Sequence, residues 1–374
     1  MAGPVRVFLF GTLRHPPLLE AVAGQAVPTR PAQLPGWQVH GVAGQVFPIL
    51  IEEPGQVAQG EVVEVTPEVL DRLVHYEDAF GYVLRDVTVH IDGADHPAKL
   101  FVPEVQDWSP AGEWSLDTWV EKASARAIFG AAEIMGYMGR FAGPALQFRR
   151  GQVEARAHGR VDAGQMSAPK VGWDQTGDQV VVNQRAADHA GYFVTETVNL
   201  RHPTFSGGMS DAITREVFLS ADAAIVLPYD PVRDRILLVE QFRMGPWARG
   251  ARYPWMLEPV AGRIDPGESA EDCMRREAEE EAGITLGRLI KIGSGYPTPG
   301  YSTEYFHIYC GLCDLPDGSE GRHGVATEHE DIRTHVLTWA QAEDLLSRGE
   351  ANNIPLVLAL TWLSRERPHL RASG

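Results

Sequence analysis

Cysteine is scarce in this sequence: three residues in 374, Cys273, Cys310 and Cys313, all in the second half. So few thiols exclude a disulfide framework. Cys310-x-x-Cys313 has the spacing of a redox or zinc pair, but no second cysteine pair stands elsewhere to complete a tetrahedral site, so all three read as structural thiols. Long apolar runs are missing too. A stretch such as residues 223 to 227 is far short of the roughly 20 residues that cross a bilayer, and no apolar signal core follows Met1-Ala2-Gly3-Pro4. The expectation is a soluble, cytoplasmic protein with no membrane partner. Positive charge is in deficit, with 33 Lys and Arg against 50 Asp and Glu, a net −17. That field opposes broad attachment to nucleic acid, so a phosphate-bearing ligand would need local arginines or a bound cation. Internal repeats and low-complexity tracts are also absent, which removes repeat architectures.

What is present is the composition of a folded protein, 44% hydrophobic and 22% charged, in a chain longer than one core usually organises. Two domains are expected: residues 1 to 150, a glycine-bearing linker of weak periodicity at 151 to 173, and residues 174 to 374. In the first, residues 5 to 10, 60 to 65 and 82 to 91 carry the β-branched and aromatic residues of strands. Thr66-Pro67 is a helix opening, with the helix running to about Tyr76, and residues 115 to 140 form another. The second domain alternates strands and helices, ending in a helix around residues 354 to 363.

The most informative stretch is Gly262-Arg-Ile-Asp-Pro-Gly-Glu268, seven residues, then Arg276-Glu-Ala-Glu-Glu-Glu-Ala-Gly283-Ile284. Ser269-x-x-Asp272 opens a helix and Gly283 stops it, with Met274, Ala278 and Ala282 on the row facing the core. Glu277 and Glu281 are neighbours one turn apart, and Glu280 lies beside them on the Arg276 row. Carboxylates at this density repel each other unless a hard divalent cation reconciles them, and Mg²⁺ takes a few carboxylates while keeping places for water and phosphate oxygens. A solvated acidic face is the plainer alternative, but it does not explain Gly262 and Gly267, which bracket a turn able to bring a backbone carbonyl to the same ion.

This stretch resembles the signature of the Nudix hydrolases at every fixed position. The resemblance implies an α/β/α sandwich and a metal site of Glu277 and Glu281 with the Ala261 carbonyl, Glu280 being a further candidate. Gly262, Glu268, Arg276 and Gly283 would be structural, with Glu268 and Arg276 bracing the loop against the helix. The implied cofactor is Mg²⁺, with Mn²⁺ as the alternative. Substrate choice lies in the flanks. Pro299, sixteen residues past Gly283, resembles the proline of the ADP-ribose pyrophosphatase subfamily. His323-Gly-Val-Ala-Thr-Glu328-His-Glu330-Asp-Ile332 resembles that subfamily's catalytic loop, although an acidic surface loop would read the same. On that match Glu328 is the general base and Glu330 another metal ligand. By the same carry-over Tyr192 stacks near adenine, Arg215 and Arg243 contact the substrate, and Glu304 helps hold the terminal ribose. The implied reaction is Mg²⁺-dependent hydrolysis of ADP-ribose to AMP and ribose 5-phosphate by a homodimer joined through this domain. Two alternatives stay open: another nucleoside diphosphate sugar or dinucleotide as substrate, and a non-catalytic ADP-ribose sensor, against which the intact glutamates argue.

In the first domain Phe10-Gly11-Thr12-Leu13 is a strand entering a glycine turn, where backbone N–H groups can hold a carboxylate. Leu70, Leu73 and Val74 predict an apolar helix stripe, and Glu77 falls seven residues after Leu70, where burial would raise its pKa toward that of a useful general base. With Gly60-Glu-Val-Val, Leu70-Asp71-x-Leu73 and Gly81-Tyr82, these residues resemble the γ-glutamylcyclotransferase-like (AIG2-like) fold, a β-barrel with helices. The fold class is then α/β and α+β in two domains. The resemblance implies that Glu77 shuttles a proton as a γ-glutamyl amine closes to 5-oxoproline, while the amides of Gly11, Thr12 and Leu13 bind the substrate's acid end. Phe10 departs from that family's tyrosine, so a binding or scaffolding relic is the competing reading.

Overall fold

The computed structural model describes residues 3–105, 108–325 and 330–372. The chain divides into two compact units, residues 1–179 with 190–192, and residues 180–189 with 193–374.

The first unit contains β1 (Val5–Leu9), α1 (Pro16–Ala23), β2 (Thr29–Gly41), β3 (Pro48–Val65), α2 (Pro67–Asp78), β4 (Tyr82–Ile91) and β5 (Ala94–Pro103), followed by α3 (Leu116–Gly136), α4 (Pro144–Gln147) and α5 (Arg150–Gly164). The strands close a barrel in the order β1-β3-β2-β4-β5, with β1 and β5 parallel. Closure leaves no unpaired edge, and alternate residues fill the interior: Phe8, Phe10, Leu34, Leu50, Val62, Val89 and Leu100 are buried together. The start of α2 is where Thr66-Pro67 predicts it, with the Thr66 hydroxyl accepting from the Val69 N–H at 3.4 Å. Its buried face differs from expectation. Val69, Leu73 and Tyr76 face the core while Val74 is exposed, because the 100° helical step carries position 74 off that side. Glu77, next to Tyr76, is partly buried.

The expected linker needs correction. Residues 150–164 are helical, with Val153, Ala155, Arg156 and Ala157 buried, and the first unit runs on to Gln179. The helix gave little periodic signal because its buried face uses small alanines and an arginine. That arginine is tolerated inside because Arg156 Nε donates to both Glu133 oxygens of α3 at 3.2 Å.

In the second unit β6 (Val181–Ala190), β7 (Val194–Arg201) and β8 (Ile213–Leu219) form a three-stranded sheet of their own. Next come β9 (Ala223–Asp230), β10 (Arg235–Phe242), α6 (Met244–Arg249), β11 (Trp255–Glu258), β12 (Val260–Arg263), α7 (Ala270–Ala282), β13 (Leu289–Gly295), β14 (Phe306–Leu312), β15 (Arg322–His323), β16 (Ile332–Thr338), α8 (Trp339–Ser347) and α9 (Ile354–Ala372). The main sheet runs β13-β14-β9-β10-β16-β15, with β11 on β10 and β12 on β9. Strand alternation feeds two cores. Ala224, Val226, Leu237 and Val239 pack with Met274, Ala278 and Ala282 of α7. Leu227, Tyr229, Ile236 and Leu238 pack with Trp339 and Leu345 of α8 and Leu356, Leu360 and Leu363 of α9. Helices therefore cover both faces, the α/β/α sandwich expected. All three cysteines are free thiols, two of them buried. Among the described residues no helix is long and apolar enough to cross a membrane.

Candidate active site

The glutamate helix forms for the reasons visible in its sequence. Ser269 Oγ accepts from the Asp272 N–H at 3.1 Å, and Gly283 closes the other end in the left-handed region at φ 63°. The buried row Met274, Ala278 and Ala282 seats it on the sheet, and the adjacent row of Glu277 and Glu281 turns toward β12. There Glu281 Oε2 accepts from the Ala261 N–H at 3.1 Å. Glu277 lies against Gly262 so closely that a Cβ at that position would fall 1.8 Å from Glu277 Oε1. The glycine is thus a cradle for a carboxylate.

Burial pushes the Glu277 carboxyl up to about 7, with Glu280 and Glu330 adding repulsion that Arg276 partly offsets. Burial likewise pushes Glu281 up to about 8, opposed by the Ala261 amide and reinforced by Glu277 and Glu330. These are crowded carboxylates short of compensating charge. Their hard oxygens suit a divalent cation of the kind that takes one or two carboxylates plus water and substrate oxygens. Among the described residues no group of three or more His, Cys, Asp or Glu stands arranged to hold a metal ion. Glu280, the further candidate, instead accepts from Arg276 Nη1 at 3.1 Å. Glu330 Oε2 accepts from the Val325 N–H at 3.2 Å, leaving its charge within reach of both Glu277 and Glu281.

Arg276 Nε and Nη2 donate to Glu268 at 2.9 and 3.0 Å, and Nη2 also donates to the Arg263 carbonyl at 3.2 Å. Loop and helix are clamped by one guanidinium. Burial works against the Glu268 charge, but Arg276 and the Asp265 N–H hold its carboxyl below the usual range.

Beside the Ala261–Gly262 backbone opens a cavity of about 310 Å³ whose walls include Phe193, Arg243, Glu258, Glu304, Phe306 and Asn353. Arg243 and Glu304, two of the residues expected to contact substrate, thus share a cavity that includes the Ala261–Gly262 backbone. Burial raises the Glu304 carboxyl, with Arg263 and Ser220 opposing. Glu258 is an addition: buried, it accepts from Arg243 Nε at 2.5 Å and from Asn353 Nδ2 at 2.7 Å. A glutamate inside the apolar run Met256-Leu257-Glu258-Pro259-Val260 was the available signal, since such a carboxylate must be paired. Asp222, Phe306 and Asn353 had none. Three expected substrate residues lie elsewhere. Tyr192 is 51% exposed. Arg215 projects from β8 with Nη1 on the Thr214 carbonyl at 2.8 Å, and Pro299 is exposed in the turn closed by Ser302 N–H on Thr298 O at 3.0 Å. Glu328 lies outside the described residues.

Comparison with known proteins accords with this geometry. The NUDIX domain family model matches residues 219–360. An ADP-ribose pyrophosphatase of Escherichia coli is 40% identical over 194 residues, covering 52% of this chain and 92% of that one. The chain belongs to the Nudix family. An ADP-ribose pyrophosphatase of Haemophilus influenzae is 37% identical over 187 residues, 50% of this chain and 86% of the relative. A GDP-mannose pyrophosphatase of Escherichia coli is 32% identical over 149 residues, 40% and 76% respectively. The second unit is a Nudix hydrolase. The family model for γ-glutamyl cyclotransferase, AIG2-like, matches residues 7–116, so the Nudix domain is fused to an AIG2-like barrel.

In that barrel Gly11 caps a single 3₁₀ turn, Thr12–Arg14, with no side-chain cap, and the Arg14 N–H returns to the Gly11 carbonyl at 3.1 Å. The amides of Thr12 and Leu13 open the turn, where no intrahelical acceptor exists for them. The Leu13 side chain is buried. Burial pushes the Glu77 carboxyl up to about 8, the direction the helix pattern implied.

Proposed function

We propose that the Nudix domain hydrolyses ADP-ribose to AMP and ribose 5-phosphate with Mg²⁺, Mn²⁺ being the alternative ion. The observation that carries this is the cavity bounded by Arg243, Glu304, Phe193 and Phe306, whose wall is the same Ala261–Gly262 backbone that seats Glu281 and Glu277. Arginine, a carboxylate and aromatic rings suit a diphosphate, a ribose and a base in turn. Glu277 and Glu281, joined by Glu330, Glu280 and the Ala261 carbonyl, would hold the cation. Once bound, Mg²⁺ polarises phosphoryl oxygens and lowers the pKa of a coordinated water. Arg243 binds the diphosphate, Glu304 orients the terminal ribose, and Glu328 accepts the proton of the attacking water. Tyr192, between β6 and β7, and Arg215, on β8, would serve the pocket in a homodimer joined through this domain. The exposure of Trp247, Tyr253 and Trp255 near the β11 edge supports such an interface.

The GDP-mannose pyrophosphatase relative favours one second reading, hydrolysis of another nucleoside diphosphate sugar. A panel of ADP-ribose, GDP-mannose and dinucleotides with Mg²⁺ separates the two, with Glu281→Gln as control. Preferential AMP release from ADP-ribose, lost in the variant by about 10²-fold or more, is expected. Equal turnover across the panel refutes the substrate, and turnover surviving Glu281→Gln refutes the site.

For the barrel we propose γ-glutamyl cyclotransfer. The α-amino nitrogen attacks the side-chain amide carbon, the C–N bond to the amine breaks, and Glu77 carries the ammonium proton to the departing amine. Gly11, Thr12 and Leu13 amides hold the acid end. Its support is a carboxyl pushed to about 8 on a partly buried helix position. Release of 5-oxoproline by the wild type and not by Glu77→Gln tests it.

A further inference from the structure

Residues 143–154 fold back onto the end of α2 that carries Glu77. The Gly143 N–H donates to Asp78 Oδ2 at 2.5 Å and Gln147 Nε2 donates to the Asp78 carbonyl at 3.2 Å. One turn later the Arg150 guanidinium stands 5.7 Å from the centre of the Phe80 ring, and Phe80 in turn packs 5.1 Å from the Tyr76 ring. The start of α5 therefore stands beside Phe80, three residues past Glu77. The charges of Glu77 and Glu154 both act on Tyr76, and those of Glu77 and Arg150 both act on Tyr82. Nothing in the AIG2-like family match reaches this far, since it ends at residue 116.

Arg150 is held loosely. Its Nε is 3.6 Å from Glu154 Oε1, beyond hydrogen-bond range, and its side chain stays 34% exposed. Glu154 lies 37% exposed and, by burial, with its carboxyl raised despite Arg150, so the pair is a weak one. The Phe80 ring, 5.7 Å from the guanidinium carbon, gives it cation–π support that uses none of its N–H donors. A planar fork of donors in that position matches a carboxylate bidentately.

We propose that Arg150, from a helix outside the AIG2-like match, binds a carboxylate of the ligand at the Glu77 site and makes that site selective for anionic γ-glutamyl compounds. The proposal rests on the barrel being a γ-glutamyl site, but it concerns binding and is separable from turnover. Two sources of the carboxylate are possible, the glutamyl α-carboxylate and an acid on the amine portion.

The test is calorimetric binding to the full chain of γ-glutamylglycine and γ-glutamylmethylamide, which differ by the amine-side carboxylate, using wild type, Arg150→Gln, Arg150→Lys and Glu77→Gln. Arg150→Gln should weaken γ-glutamylglycine at least tenfold, with Arg150→Lys, which keeps the charge but not the fork, falling between it and the wild type, and unchanged melting temperatures serving as the control for folding. If Arg150→Gln weakens γ-glutamylglycine alone, the amine-side acid is the partner and the selectivity stands; if it weakens both ligands equally, Arg150 shares the α-carboxylate with the Gly11, Thr12 and Leu13 amides and the selectivity is overturned. Unchanged affinity for both in Arg150→Gln, or no binding of either by the wild type, overturns the proposal. Arg150-dependent binding without 5-oxoproline release, or release undiminished in Glu77→Gln, instead defeats the cyclotransferase reading and leaves the Arg150 site standing.

Discussion

Glu258 accepts a hydrogen bond from Arg243 at 2.5 Å, so the arginine that reaches the Nudix cavity is aimed by a buried carboxylate rather than by solvent. The other Glu258 oxygen takes Asn353 at 2.7 Å, just before α9, and so ties the two walls of the cavity together. Glu258→Gln keeps the shape and removes the charge. A hydrogen bond to a charged group contributes about 1.5–3 kcal/mol, so the KM for ADP-ribose should rise about tenfold to a hundredfold with a smaller change in kcat. An unchanged KM would show that Arg243 is positioned without Glu258.

Gly262→Ala tests the cradle under Glu277. The φ at Gly262 is outside the left-handed region, so alanine is compatible with the backbone, but its Cβ would meet Glu277 Oε1 at 1.8 Å and Cδ at 2.0 Å. The side chain of Glu277 must move. The expected result is a folded protein destabilised by about 1–3 kcal/mol, measured by denaturant midpoint, with hydrolysis reduced about 10²-fold. Wild-type turnover in a folded variant would show that the Glu277 position does not matter.

The Glu77 carboxyl, pushed to about 8 by burial, gives the barrel a pH signature. Below that value it is protonated and unable to accept a proton; above it the base form prevails. The kcat/KM for 5-oxoproline release should therefore climb through about pH 8, and a profile flat between pH 6 and 9 would exclude Glu77 as the base. Stability carries the opposite sign. A raised folded pKa stabilises fully below the unfolded value of about 4.5 and loses that contribution as pH rises through about 8. Relative to Glu77→Gln, the wild type should thus lose melting temperature between pH 5 and pH 9.

Local information was sufficient for much of this protein. The Nudix helix, its Ser269 and Gly283 ends and its core row Met274, Ala278 and Ala282 follow from capping chemistry and the 3.6-residue period, which are properties of contiguous residues. The opening of α2 at Thr66-Pro67 and the semi-burial of Glu77 are legible for the same reason, although one stripe position, Val74, turned outward. Tertiary structure alone decided which residues share the cavity. Glu258, Asn353 and Phe306 come from three separated elements, and their convergence depends on strand order and on α9 packing against the sheet. It also decided that residues 150–164 belong to the barrel's unit. A buried arginine reads as a surface residue until its partner Glu133, twenty-three positions earlier, is brought beside it by the packing of α3 and α5.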